Sequence, residues 1–167
     1  MYHYVYCKIR EYKMRKLFVT DDSWTGLILR LGLGIVMVPH GMQKVFGWFG
    51  GFGLPVTFSY MTNMEHIPAI FAALAIIAES LGSVALIVGV LSRVAAFGIG
   101  IEMVVAALMV HVRNGFFMNW SGHQAGEGFE FHILMVAISI AIMILGGGRW
   151  SVDGIIASRG NGTKSQK

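Results

Sequence analysis

Cysteine and charged residues are both scarce in this chain of 167 residues. The single cysteine, Cys7, excludes a disulfide framework and leaves no C-x-x-C pair for thiol exchange. Charged residues make up only 13% of the sequence, whereas hydrophobic residues make up 55%. Soluble domains carry about 25% charged residues. The composition therefore argues against a soluble domain and indicates a protein embedded in a lipid bilayer.

Four long apolar runs fill most of the sequence, at residues 24–46, 68–91, 92–112 and 131–146. Most of them approach or exceed the ~20 residues that a helix needs to cross a hydrocarbon core. The runs do not alternate between polar and apolar residues, which excludes the strands of a membrane barrel. We therefore predict an all-α polytopic membrane protein with a four-helix transmembrane bundle at residues 24–148. An N-terminal segment, 1–23, and a C-terminal tail, 149–167, flank this bundle.

Basic residues predict how the bundle is oriented. Two of them, Lys44 and Arg113, adjoin the two longer loops, and ten lie on the side of the termini: Lys8, Arg10, Lys13, Arg15, Lys16, Arg93, Arg149, Arg159, Lys164 and Lys167. The positive-inside rule then places both termini in the cytoplasm. No basic patch is interleaved with base-stacking aromatics, so we expect no nucleic-acid partner.

Both ends of the chain are expected to lie outside the packed bundle. Residues 1–13 show no apolar helical face, and Met14 is expected to be a workable start. The segment after Asp153 is rich in glycine and basic residues, and we expect it to be disordered.

Ionisable residues inside the spans are the best indication of function, because hydrocarbon tolerates them only when they pair or line a polar path. Glu79 lies in the middle of the second span, whereas His40, Lys44, His111 and Glu130 lie near span ends. Helical spacing places each on a stripe with Gly or Ala, the small residues typical of helix contacts in membranes. We predict a network that joins Glu79 to His40 and His111, with Lys44 and Glu130 at its rim.

Glu102 and Arg30 fit this network less well. Nine residues separate Glu102 from His111, which places the two side chains on opposite sides of a regular helix. Glu102 is therefore expected to face a second subunit as a neutral acid, unless the bundle axis is assigned wrongly. Arg30 either extends to the headgroups or reaches Glu79 from the cytoplasmic side.

The ordered set of short motifs resembles the DoxX family of small bacterial membrane proteins. The motifs are HGMQKVFGWFGG, AESLGSVALIVGVLSRVAA, MVVAALMVHVRNGFF, GFE and GGGRWSVD, and they cover nearly all of residues 30–153. The resemblance implies a multi-pass protein of the bacterial plasma membrane, with relatives that include the small quinone-linked subunit of thiosulfate:quinone oxidoreductase. Matching positions carry over the family's polar residues: Arg30, His40, Lys44, Glu79, Arg93, His111 and Glu130.

Three functions follow as hypotheses. In the first, the protein is a membrane subunit of a quinone-linked oxidoreductase, with Glu79, His40 and His111 as catalytic residues. Arg30, Lys44 and Glu130 would then bind the quinone, and electrons would arrive from the substrate, a soluble redox partner or a bound haem. The second is a channel or transporter for protons or a small molecule. The third is a non-catalytic assembly subunit whose polar residues only hold helices together.

Cofactor expectations follow from the first hypothesis. A bound quinone is the favoured cofactor. Haem held by His40 and His111 is the weaker expectation, since a hydrogen-bonded histidine pair explains the same spacing. No metal site is predicted.

Overall fold

The computed structural model describes residues 17–162, which form helices joined by turns. Predictions about residues 1–16, including the start at Met14, lie outside this range. We number the helices α1 to α6: Trp24–Phe46, Leu54–Ser59, Ala69–Val88, Ser92–Asn114, Glu130–Leu145 and Val152–Gly162. A single π-helical turn, Tyr60–Met64, extends α2.

The predicted all-α architecture is confirmed. Helices α1, α3 and α4 are long and apolar enough to cross a membrane, and α5 is a shorter apolar helix of 16 residues. Each helix begins and ends within three residues of its predicted span, because an uninterrupted apolar run of this length can pair its backbone groups in lipid in few ways other than as a helix. Side chains from all four helices form one hydrophobic core, which includes Leu33, Leu86, Ile99, Met135 and Ile142.

The bundle has two distinct ends. At the termini end, the start of α1 meets the turn between α3 and α4 and the segment that follows α5. Gly26 and Gly148 permit this contact, because a Cβ on Gly26 would lie 2.7 Å from the Gly148 Cα. At the opposite end, which we call the loop end, lie the two longer connections, 47–68 and 115–129.

The segment after Asp153 is helical, and the expectation of disorder is wrong up to Gly162. Asp153 is 1% exposed, and its carboxylate accepts hydrogen bonds from the Leu91 and Ser92 backbone amides at 2.7 and 2.8 Å. Asp153 thereby caps the start of α4, where the amides lack helical partners. This long-range cap fixes the first turn of α6 against the bundle.

Candidate functional site

Glu79 is the buried acid at the centre of the bundle. It lies in the middle of α3, is 3% exposed, and pairs with Lys44 from the last turn of α1. The Lys44 Nζ donates a hydrogen bond to the Glu79 Oε2. A carboxylate at this depth requires such a cation, because hydrocarbon does not solvate its charge.

Gly41 brings the two charged residues together. A Cβ on Gly41 would lie 2.6 Å from the Ser80 Cα and 2.7 Å from the Glu79 carbonyl oxygen. Only glycine therefore allows the backbone of α1 to approach the backbone of α3 at this level. Lys44 is three residues after Gly41 and projects from the same face of α1, so the close approach directs its ammonium toward Glu79.

Glu102 also points toward Glu79, which corrects the expectation that it faces outward. The Glu102 carboxyl lies within hydrogen-bonding reach of the Glu79 carboxyl, and its Oε2 atom is buried. Close packing of α4 on α3 supports this arrangement, since a Cβ on Gly98 would lie only 3.4 Å from the Ala78 Cβ. A homo-oligomer remains a prediction, but the Glu102 carboxyl is directed into its own bundle. Glu79, Glu102 and Lys44 form what we call the acid triad.

Two π-helical turns interrupt the helices that carry the site residues. One spans Ala78–Gly82 and contains Glu79, and the other spans Ala107–His111 and ends at His111. Such turns insert an extra residue into an α-helix and occur frequently at functional sites. They also rotate the following residues relative to a regular helix, which changes the side chains that can meet.

Three histidines form a second group near the loop end, which we call the histidine cluster. The rings of His111 and His132 lie 4.2 Å apart between centroids, and His40 lies in the last two turns of α1, toward the same end of the bundle. His132 is 7% exposed, whereas His40 is exposed on the side of α1. His40 lies one turn before Lys44, so α1 contributes to both the histidine cluster and the acid triad.

Hydrogen bonds define the free nitrogens of this cluster. The His111 Nδ1 lies 2.8 Å from the Glu127 carbonyl oxygen, which can only accept, so this nitrogen carries hydrogen. The Nε2 of a neutral His111 is then left as an acceptor. The His132 Nδ1 is buried without a partner among the described residues. Buried polar atoms are normally paired, so this nitrogen is a candidate contact for a ligand.

The sequence interpretation missed His132 and assigned different partners to Glu79. His132 lies two residues after Glu130 at the start of the fourth span, a position that resembles that of His111 and could have drawn attention to it. The predicted network linked Glu79 to His40 and His111. The structure instead pairs Glu79 with Lys44 and Glu102, and packs His111 against His132.

Glu130 holds a loop at the start of α5. Its Oε1 accepts a hydrogen bond of 2.8 Å from the Met118 backbone amide, and its own amide donates to the Phe116 carbonyl oxygen. These bonds fold the chain after α4 over the first turn of α5. A shallow depression of about 280 Å³ adjoins this point and is lined by mostly apolar side chains, including Trp120 and Phe131.

Arg30 lies at the termini end, away from the acid triad and the histidine cluster. It is 2% exposed, and its guanidinium donates five hydrogen bonds of 2.5 to 3.2 Å to backbone carbonyls. The acceptors belong to Leu86, Ile87, Gly147, Arg149 and Trp150. A guanidinium has five N–H groups, so all of them are used. These contacts make Arg30 a brace between the end of α3 and the segment after α5.

Arg93 has a similar role in the next helix. Its guanidinium donates to the Met143 carbonyl oxygen and, at 2.9 Å, to the Val19 carbonyl oxygen. Arg30 and Arg93 thus both bind backbone groups, and we include neither in the candidate site.

Comparison with known proteins places the chain in a family. The DoxX family model matches residues 25–112, which is a little over half of the chain. The match includes His40, Lys44, Glu79, Glu102 and His111 but ends before α5. No curated protein and no solved structure matches the chain. With its apolar helices and this match, the chain is a membrane protein that belongs to the DoxX family.

Proposed function

We propose that this protein is a membrane subunit of a quinone-linked oxidoreductase and that the histidine cluster contacts the quinone headgroup. The observation that carries the proposal is the His132 Nδ1, a buried nitrogen that has no partner among the described residues and adjoins the His111 ring. A ligand with a hydrogen-bonding oxygen would satisfy this nitrogen. A quinone carbonyl is such a group on an otherwise apolar molecule.

Access to the cluster supports a lipid-soluble ligand. His40 is exposed on α1, whereas His132 is buried at the start of α5. Much of the neighbouring surface is apolar, including Ile35 and Val36, which are 61% and 39% exposed. A molecule dissolved in the bilayer could therefore reach His40 directly. A polar metabolite would instead have to cross the loop end.

The titratable residues supply the proton chemistry that a quinone needs. Reduction to the quinol consumes two electrons and two protons. Imidazole and carboxyl groups are the side chains that most often donate and accept protons in catalysis, and the acid triad lies one helical turn from His40 along α1. The electrons would come from a soluble redox partner.

A proton channel is the second candidate function. The acid triad and the histidine cluster together place titratable groups from the middle of the bundle to its loop end, which is the arrangement of a proton relay. A channel would pass protons without a quinone, and this difference separates the two candidates.

Binding of a short-chain ubiquinone analogue to the purified protein tests the proposal. His132→Phe keeps an aromatic ring and removes both nitrogens, so we expect binding to weaken about tenfold, which corresponds to ~1.4 kcal/mol for one hydrogen bond. His123→Phe is the matched control, because His123 is exposed in the loop before α5. Organic extraction of gently purified protein should also release a quinone.

The remaining outcomes are equally informative. Equal affinity in His132→Phe and the parent would refute contact between His132 and the quinone. Proton uptake into quinone-free liposomes that is lost in Glu79→Gln would favour the channel. If the protein neither binds a quinone nor takes up protons, the assembly-subunit hypothesis is the one that remains.

A further inference from the structure

The acid triad contains two carboxyl groups and one cation. Glu79 and Glu102 lie within hydrogen-bonding reach of each other, and Lys44 contacts the Glu79 Oε2. If both acids were ionised, like charges would be in contact in a medium of low dielectric constant. One proton on the pair removes this repulsion and leaves the triad neutral.

The hydrogen bonds identify the acid that carries the proton. Glu79 already accepts a hydrogen bond from the Lys44 ammonium, the arrangement expected of a carboxylate. The Glu102 Oε2 atom is buried and receives no donor from the described residues. A carboxylate oxygen left in that state would be strongly destabilised, whereas a protonated Glu102 can donate to Glu79.

We propose that Glu79 and Glu102 form an intramembrane proton-binding site that holds one proton, which resides on Glu102 and is donated in a hydrogen bond to Glu79. Lys44 sets the capacity of the site at one proton, since its ammonium neutralises the single negative charge that the two acids retain. The site would hold this proton whatever molecule binds at the histidine cluster. Protonation of Glu79, or loss of the Lys44 ion pair, would alter how strongly Glu102 retains it.

Three packed helices supply the groups that act on this proton. Lys44 comes from α1, Glu79 from α3 and Glu102 from α4. His132 of α5 adjoins His111 and belongs to the histidine cluster.

Labelling with dicyclohexylcarbodiimide tests the site directly. This apolar reagent adds to a protonated carboxylic acid: the acid proton passes to a carbodiimide nitrogen, the carboxylate oxygen attacks the central carbon, and an acyl shift gives a stable N-acylurea. We expect mass spectrometry of the labelled parent protein to find the adduct on Glu102. Glu65 and Glu127 lie in the connections at the loop end, outside the long apolar helices, and serve as internal controls.

Two variants distinguish a proton shared by Glu79 and Glu102 from protonation of Glu102 by burial alone. In Glu79→Gln, Glu102 becomes the only acid beside Lys44 and should ionise, so labelling of Glu102 should fall at least tenfold. In Lys44→Met, no cation remains, so both acids should be protonated and Glu79 should also become labelled. Persistent labelling of Glu102 in Glu79→Gln would refute the shared proton.

An infrared measurement provides an independent test in case the reagent cannot reach the site or a variant misfolds. The parent protein should show the carbonyl stretch of a protonated carboxylic acid that resists exchange with bulk deuterated water, and Glu102→Gln should lack it. Absence of both this band and the adduct in the parent would overturn the proposal. Suppression of labelling by sodium ions at constant pH would instead identify a metal cation as the third partner and would also overturn it.

Discussion

Replacement of Arg30 provides a quantitative test of the brace at the termini end. Arg30→Met retains an unbranched side chain that can fill the same space but removes all five donated hydrogen bonds. Two acceptors, the Gly147 and Leu86 carbonyl oxygens, form fully buried bonds of 2.7 and 2.9 Å. The other three bonds are only partly buried, so water can replace them.

The expected loss of stability follows from the two buried bonds. A hydrogen bond from a charged donor contributes about 1.5–3 kcal/mol, and an acceptor left unpaired in the interior keeps its desolvation cost. Two such bonds give an expected decrease of about 3–6 kcal/mol in the free energy of unfolding. Arg113→Met should change it by less than about 0.5 kcal/mol, because Arg113 is exposed and donates only to carbonyls of its own helix.

Equilibrium unfolding in mixed micelles with increasing dodecyl sulfate, followed by circular dichroism, measures both variants. A decrease for Arg30→Met no larger than that for Arg113→Met would refute the brace. If Arg30→Met kept its stability and lost quinone binding, the sequence-based assignment of Arg30 to the ligand site would be right.

Three other predictions concern the helix contacts and the topology. Gly41→Ala should lower the free energy of unfolding by about 1–3 kcal/mol by forcing α1 from α3, whereas Gly32→Ala, which meets nothing within 4 Å, should be neutral or slightly stabilising in the same unfolding assay. Asp153→Asn leaves one accepting oxygen for two backbone amides and should cost about 1–2 kcal/mol; an unchanged midpoint of unfolding would show that the cap is dispensable. In intact cells, a cysteine introduced at Ser121 should react with a membrane-impermeant maleimide, and one introduced at Ser165 should not; the reverse pattern would contradict cytoplasmic termini.

Side-chain contacts were harder to predict than helix positions, and the π-helical turns explain part of the difference. At 100° per residue, the separation of nine positions from Glu102 to His111 places the two on opposite sides of a regular helix. The turn Ala107–His111 absorbs one extra residue, so the angle falls from 180° to about 80°. Both residues can then face the interior of the bundle. Nothing in the sequence marks this turn.

Pairing partners also depended on how closely the helix axes approach. The sequence placed Glu79 in the middle of its helix and proposed His40 and His111 as its partners, but position along a helix alone does not distinguish among bases at the loop end. Gly41 decides the outcome, because its missing side chain lets α1 contact α3 one turn before Lys44.

The sequence alone determined the helical spans and the presence of buried acids, since the length of an apolar run and the cost of charge in lipid are local properties of the chain. Only the tertiary structure decided that Glu102 joins Glu79, that His132 joins His111, and that Arg30 and Asp153 bind backbone groups across the bundle. These contacts depend on helix rotation and on distances between helices. Both are set by packing among residues far apart in the chain, which a single sequence does not reveal.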